Sequence, residues 1–196
     1  MDEQSLKQFF KTFNRFMVVM WRLGLGKWVN FWPRGIGRIM VLTHTGRKSG
    51  LQRRTPVNYA IYDGELYCTA AMGPSTDWFR NVQAQPEVQV WLPDGAWHGK
   101  AELVEENALR LPVIRQVLIN SGFAASAFEN VQPDELSAAE LEQLARDYQL
   151  VHIRRADAIT GPTAAADLAW VWPAIVHGLL FLGLLRFFRR RGKKRG

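Results

Sequence analysis

The sequence predicts a mainly β fold with flanking helices, an α+β chain built around a small closed or half-closed antiparallel barrel. Three observations predict it. Six short β-rich runs follow one another between residues 39 and 154. Two of the links between them carry hairpin signals, Asp63-Gly64 and Pro93-Asp94-Gly95, where a tight turn joins neighbouring antiparallel strands. Helical periodicity is confined to the two ends and to short stretches between strands. At 196 residues the chain has room for one domain with a substantial core plus extensions. The expected boundaries are 1–38 for an N-terminal amphipathic helix and linker, 39–160 for the barrel, and 161–196 for a linker, an apolar helix and a polybasic tail.

Taken in order, residues 4–22 read as an amphipathic helix, because Leu6, Phe9, Phe10, Phe13, Met17 and Met20 recur at helical spacing with Lys7, Lys11, Arg15 and Arg22 between them. Gly24 and Gly26 end it. A helix packed on the domain is the favoured reading, and a basic helix lying on a membrane surface is the alternative. Strands are expected at 39–43, 54–62, 65–71, 88–92, 97–104 and 150–154. Between the third and fourth, Ser75-Thr76-Asp77 offers N-caps for a short helix that Pro86 ends. Residues 107–119 and 137–148 read as helices; Pro112 lies near the first turn of the former or breaks it, and Ser137-Ala138-Ala139-Glu140 gives the latter a capping-box pattern. Gly161-Pro162-Thr163-Ala164-Ala165-Ala166 reads as a linker. Residues 168–185 then form an apolar run without formal charge in its interior, at the lower edge of the length that spans a bilayer.

The formal charge of +7 is unevenly spread. The last eleven residues carry Arg186, Arg189, Arg190, Arg191, Lys193, Lys194 and Arg195 with no acid, and without them the remaining 18 basic residues equal the 18 acidic ones. Trp170 and Trp172 at one end of the apolar run and Arg186 at the other resemble interface anchors. A spanning orientation would keep the basic tail inside and place the domain outside, which a chain without an evident signal peptide or disulfide does not favour. The expected arrangement is a helix in or dipping into the cytoplasmic leaflet, its tail drawn to anionic headgroups. A helix buried in the domain or at a homodimer interface is the alternative. Nucleic acid could bind the tail but would give the apolar run no role, so no nucleic-acid partner is expected. Cys68 is the only cysteine, which excludes an intrachain disulfide and reads as a buried structural thiol. His44, His98, His152 and His177 are scattered among different elements, so no metal-ligand cluster is expected.

The stretch most suggestive of chemistry is Thr43-His44-Thr45-Gly46-Arg47-Lys48-Ser49-Gly50-Leu51-Gln52-Arg53-Arg54-Thr55-Pro56, a glycine-bracketed basic turn between two strands. Glycines let backbone amides approach an anion closely, and arginines and lysines add charge. A solvated basic hairpin loop has the same composition, and neither a Walker pattern nor a GxGxxG fingerprint is present to decide between them.

Two motifs carry a family resemblance over about 38–104: Leu42-Thr43-His44-Thr45-Gly46-Arg47-Lys48-Ser49-Gly50 with Arg53, Thr55 and Pro56, and Asp77-Trp78-Phe79-Arg80-Asn81 followed by Gln85-Pro86-Glu87-Val88. In that order and separation they resemble the deazaflavin-dependent nitroreductase family. The resemblance implies a split β-barrel like that of FMN-binding proteins, and a deazaflavin coenzyme, F-420, with FMN as the alternative. By position, Arg47, Lys48, Ser49, Gly50 and Arg53 would meet the phosphate and acidic tail. Thr55 and Pro56 would lie beside the ring system, Ala71 and Met72 near it, Trp78 would line it, and Asn81 would support the loop. The chain reads Ala70-Ala71-Met72-Gly73-Pro74 where members often carry a longer segment with serine and lysine. The implied activity is hydride transfer from reduced deazaflavin to a lipophilic acceptor such as a quinone or nitro compound, at the cytoplasmic side of the cell membrane. His44 and Tyr59 are candidates for supplying the accompanying proton. The alternatives are an FMN-dependent reductase on the same fold and a non-catalytic cofactor-binding protein that docks on membranes.

Overall fold

A computed structural model describes residues 3–31, 37–122, 132–161 and 165–192, with side chains for all of these except 3–7, 10 and 183–192. Six strands close into an antiparallel barrel in the order β1-β2-β3-β6-β5-β4. They are β1 (Ile39–Thr45), β2 (Gln52–Tyr62), β3 (Glu65–Ala70), β4 (Glu87–Leu92), β5 (Gly95–Leu103) and β6 (Gln149–Ala158). Each expected strand is present, several longer than expected by two or more residues. The Asp63-Gly64 hairpin forms with both residues at positive φ, 50° and 81°, the primed turn whose twist matches its flanking strands. Alternation does the rest. Met40, Leu42, Val57, Tyr59, Leu66, Cys68, Val88, Val90, Val151 and Ile153 form one buried cluster, so a slip of one residue in register would carry the core face into solvent.

Helix α1 (Glu3–Arg22) lies outside the barrel and packs Trp21 with Val18 against Val41, Trp91 and Ala96, while Met17, Phe13 and Met20 meet Val29 and Ile39. The packed reading of this helix is thus the observed one, although Phe9, Phe16 and Val19 remain exposed. A four-residue helix, α2 (Gly26–Val29), follows; it is too short for a periodic signal. A Cβ on Gly26 would come within 2.3 Å of the Trp21 ring, so only glycine lets the chain turn back this tightly.

Helix α3 (Asp77–Ala84) is preceded by a 3₁₀ turn at Gly73–Ser75. Its N-cap is Thr76, whose hydroxyl donates to the Gly73 carbonyl at 2.9 Å instead of capping the helix. Phe79 and Val82 pin α3 to the barrel cluster; burial of an aromatic of this size accounts for about 3–5 kcal/mol when lost. Helix α4 (Arg110–Ile119) takes Pro112 in its first turn, where the missing N–H has no helical partner to lose. Helix α5 (Ala138–Ala145) has both halves of the Ser137–Glu140 capping box and packs with α4 around Val113, Ile114, Leu118, Leu141 and Tyr148.

Helix α6 (Val171–Gly192) begins three residues later than the apolar run, after turns at 165–170. Its start is fastened to the end of α1. Asp167 accepts from Arg22 Nε at 2.9 Å and Nη2 at 2.8 Å, the Leu168 N–H donates to the Arg22 carbonyl at 2.8 Å, and Trp172 Nε1 donates to the Leu23 carbonyl at 2.9 Å. Beyond this clasp, Ile175, Val176, Leu179, Leu180, Phe181 and Leu182 are exposed. Among the described residues no helix is long and apolar enough to cross a membrane. Lys193, Lys194 and Arg195, the Pro162-Thr163-Ala164 part of the linker, and the side chains of Leu6, Lys7, Phe10 and Arg186–Arg191 lie outside the described residues.

Candidate functional site

The basic turn and helix α3 meet at one end of the barrel. Strand β1 delivers His44, the turn delivers Gly46, Arg47, Lys48 and Ser49, strand β2 returns with Arg53 and Thr55, and α3 supplies Asp77, Trp78 and Asn81; together they line a cleft of about 350 Å³. The turn is held by its own backbone, with the Gly46 N–H donating to the Leu51 carbonyl at 2.9 Å and the Gly50 N–H to the Gly46 carbonyl at 2.8 Å. Gly50 adopts φ +66°, the left-handed conformation that favours glycine.

Gly46 forms the floor of a cradle. A Cβ there would lie 2.7 Å from Ser49 Oγ and 3.0 Å from Arg53 Nε, so a hydroxyl and a guanidinium close over the bare Cα at a distance that only a glycine permits. Among the described residues neither Lys48 nor Arg53 has a carboxylate partner. The donor set fits a phosphate: one hydroxyl, one guanidinium able to offer paired N–H groups, and one ammonium. Arg47 is differently engaged. Its Nη2 pairs with Asp77 Oδ1 at 3.0 Å, its Nη1 donates to Asn81 Oδ1 at 2.9 Å, and its backbone N–H donates to the same oxygen at 3.1 Å. It ties the turn to α3.

Trp78, His44 and Thr55 are the uncharged part of the lining, with Arg53 directly across the ladder from His44. Trp78 belongs to the core cluster and is 7% exposed, its ring edge-on to Phe79 at 6.1 Å, yet it also lines the cleft. Its core and wall roles coincide. His44 is buried, its Nε2 3.0 Å from Thr55 Oγ1 and its Nδ1 3.2 Å from Asn81 Nδ2. Burial, with the nearby Arg53 charge, lowers its pKa to about 4, so at neutral pH the imidazole is neutral and lacks the second ring proton that a general acid would give.

Of the residues expected at a site, Arg47, Lys48, Ser49, Arg53, Thr55, Trp78, Asn81 and His44 are brought together here. Gly50 sits exposed at the tip of the turn, Pro56 is half-buried one residue beyond Thr55, and Ala71 and Met72 are exposed between β3 and the 3₁₀ turn; none of the four lines the cleft. Tyr59 is buried in the core cluster, where burial raises the pKa of its phenol. Gly46, expected only to bring backbone amides near an anion, and Asp77, expected only as a helix N-cap and the start of the second motif, are further cleft residues. The signal for Gly46 was its place at the start of the turn, and for Asp77 its place three residues before Arg80 in the second motif. Cys68 is buried, with its thiol pushed up to about 12 by desolvation, as expected of a structural thiol.

A family model described as F-420H(2)-dependent quinone reductase matches residues 13–123, more than half of the chain, and includes every residue of the cleft. No curated protein matches significantly. Among solved structures, a conserved hypothetical protein, Rv2991, from Mycobacterium tuberculosis is 21% identical with a TM-score of 0.48, over 68% of this chain and 79% of that one. An F-420-H2 dependent reductase (FDR-A) is 24% identical with a TM-score of 0.41, over 59% and 92%. The heme storage protein HutZ from Vibrio cholerae is 13% identical with a TM-score of 0.43, over 61% and 82%. These three likenesses concern the barrel and say nothing of what this chain binds.

Proposed function

This chain belongs to the F-420H(2)-dependent quinone reductase family, and on that premise we propose that it reduces a lipophilic acceptor, a quinone, at a membrane surface. It is an oxidoreductase that depends on the reduced deazaflavin coenzyme. The observation that carries the assignment of the site is the convergence of the Ser49 hydroxyl and the Arg53 guanidinium on Gly46, closer than any Cβ would allow. Lys48, Ser49 and Arg53 would hold the coenzyme's phosphate and acidic tail, while Trp78, Thr55 and His44 would bound its ring. When bound, the coenzyme supplies the hydride. The protein's part is to hold the ring against Trp78 and exclude water from it. Arg47, held by Asp77 and Asn81, would fix the turn over the cleft and add long-range charge.

Membrane action is supported by α6. A helix apolar on all sides is ordinarily buried, and here Leu179, Leu180 and Phe181 are each more than 60% exposed, directly before a polybasic run. A bilayer surface with anionic headgroups satisfies both features, and a lipid-soluble acceptor gives them a purpose. Titration of the full chain in mild detergent with the deazaflavin coenzyme, and separately with FMN, tests the site. Binding of deazaflavin alone, followed by its oxidation on adding a quinone, is expected. Preference for FMN would overturn the cofactor assignment; deazaflavin binding without turnover of any quinone would overturn the acceptor.

A further inference from the structure

Asn81 is polarised by its surroundings in one direction only. A backbone N–H and a guanidinium, both groups that can only donate, meet its Oδ1 from Arg47 at 3.1 and 2.9 Å. The oxygen must therefore face Arg47, and the amide NH₂ must face His44 Nδ1, 3.2 Å away. A ring nitrogen that receives an N–H cannot carry a proton of its own, so Nδ1 of His44 is the acceptor and Nε2 bears the hydrogen. Nε2 then donates to Thr55 Oγ1 at 3.0 Å, and the Thr55 hydroxyl, having accepted there and with no other hydrogen-bond partner among the described residues, has its own proton to spend. Thr55 is half-buried and lines the cleft.

We propose that Asn81 is a positioning residue that fixes His44 in the Nε2–H tautomer, and that Thr55 is thereby turned into a hydrogen-bond donor facing the coenzyme ring. The proposal rests on the functional reading above and adds a specificity to it. This part of the cleft recognises a hydrogen-bond acceptor, a ring carbonyl oxygen or unprotonated ring nitrogen, and disfavours an N–H presented at the same place. His44 and Asn81 are both buried, so solvent does not compete to scramble the chain of donors. The depressed pKa of His44 agrees with this polarity, because a second ring proton would have to displace the Asn81 amide.

The test uses the full chain in mild detergent. With ¹⁵N-labelled histidine, and His44→Gln to assign the signal, two-bond proton–nitrogen correlations at pH 7 should show His44 neutral with the hydrogen on Nε2. Asn81→Asp keeps the shape but leaves no donor for Nδ1, so the proton should move to Nδ1 or the ring should take up a second one. A wild-type ring protonated on Nδ1, or a tautomer indifferent to Asn81→Asp, would overturn the positioning role. Thr55→Val should weaken deazaflavin binding by about tenfold, the effect of one hydrogen bond, and Thr55→Ser should restore it. Equal affinity in the two variants would overturn the donor role. A wild-type chain that binds no deazaflavin would overturn the functional reading; the tautomer measurement, made without ligand, separates that failure from a failure of the positioning role.

Discussion

Gly46→Ala isolates the anion cradle from the fold that carries it. The added Cβ would stand 2.7 Å from Ser49 Oγ and 3.0 Å from Arg53 Nε, with the Leu51 carbonyl at 3.3 Å. The first two are ends of side chains that can rotate away, and Gly46 has no positive φ, so the backbone tolerates alanine. The lower conformational entropy of the unfolded chain, worth about 0.4–1 kcal/mol, offsets the tight carbonyl contact, and stability should stay within about 1 kcal/mol of wild type. Binding should not. The Cβ would displace Ser49 and Arg53, so an anion held by them would lose contact with one or both, and a hydrogen bond to a charged group is worth about 1.5–3 kcal/mol. Loss of one such contact predicts roughly a 10- to 100-fold rise in Kd, read by quenching of tryptophan fluorescence during deazaflavin titration. Gly50→Ala is the opposite control: nothing lies within 4 Å of its would-be Cβ, but φ is +66°, so it should cost about 1 kcal/mol of stability and leave the cradle intact. Unchanged affinity in Gly46→Ala, with unchanged stability, would refute the reasoning.

Four further outcomes follow from the same geometry. Phe79→Ala, at a site 1% exposed between α3 and the barrel, should lower unfolding free energy by about 3–5 kcal/mol in urea. Asp77→Asn removes the one acidic side chain among the described residues of the cleft, paired with Arg47 through a carboxylate that is 87% exposed; stability should change by less than about 1 kcal/mol, and deazaflavin affinity should rise and become more salt-dependent, because the net attraction grows, to a degree a titration at two ionic strengths can read. His44→Gln bears on pH. The folded pKa is lowered to about 4 from about 6.5, so the unfolded state binds the proton first, and the histidine's contribution is complete above pH 6.5 and lost as pH falls toward 4. In that window the variant's stability should fall less steeply than wild type's, by at most about 1.4 kcal/mol per pH unit. Asp167 is held below the ordinary carboxylate range, first by its hydrogen bond from Arg22. The clasp therefore holds above about pH 4 and loosens only as pH falls through the depressed value, and Asp167→Asn should expose 165–170 to limited proteolysis at neutral pH.

The barrel was legible because its signals are local: alternation over each strand and the Asp63-Gly64 turn dictate faces and connections without knowledge of the rest. The membership of the cleft was legible in part. Arg47, Lys48, Ser49, Arg53, Thr55, Trp78 and Asn81 are contiguous in two motifs, and the structure brings the motifs together. What each residue does there was not legible. Arg47 reads as a phosphate ligand on charge alone, but its guanidinium meets Asn81 and Asp77, contacts that depend on where α3 docks and so appear only with tertiary packing. His44 reads as a proton source on residue type, and only its burial and its two hydrogen bonds reveal a neutral ring. Helix α2 carries no periodic signal in four residues, and the clasp joins Arg22 to Asp167 across 145 positions, a separation at which sequence pattern is silent.

The charged and neutral side chains of the cleft are neighbours, and this constrains how the reaction would be supported. Lys48 and Arg53, the latter across the ladder from His44, would meet an anionic tail, whereas Trp78, a neutral imidazole and a hydroxyl would bound the ring. A cationic His44 would attract anions, including the coenzyme's own tail, into the place where the ring must seat. Desolvation, the first cause of its lowered pKa, therefore serves orientation as well as packing. It leaves a line of dipoles running from Arg47 through Asn81 and His44 to Thr55, and such dipoles need no reorganisation when charge moves on the ligand. The arrangement is consistent with a protein that contributes position and polarity while its coenzyme contributes the hydride. It also makes the turn and the ring's surroundings interdependent: a change at Arg47 would act on the tail through charge and on the ring through the orientation of Asn81.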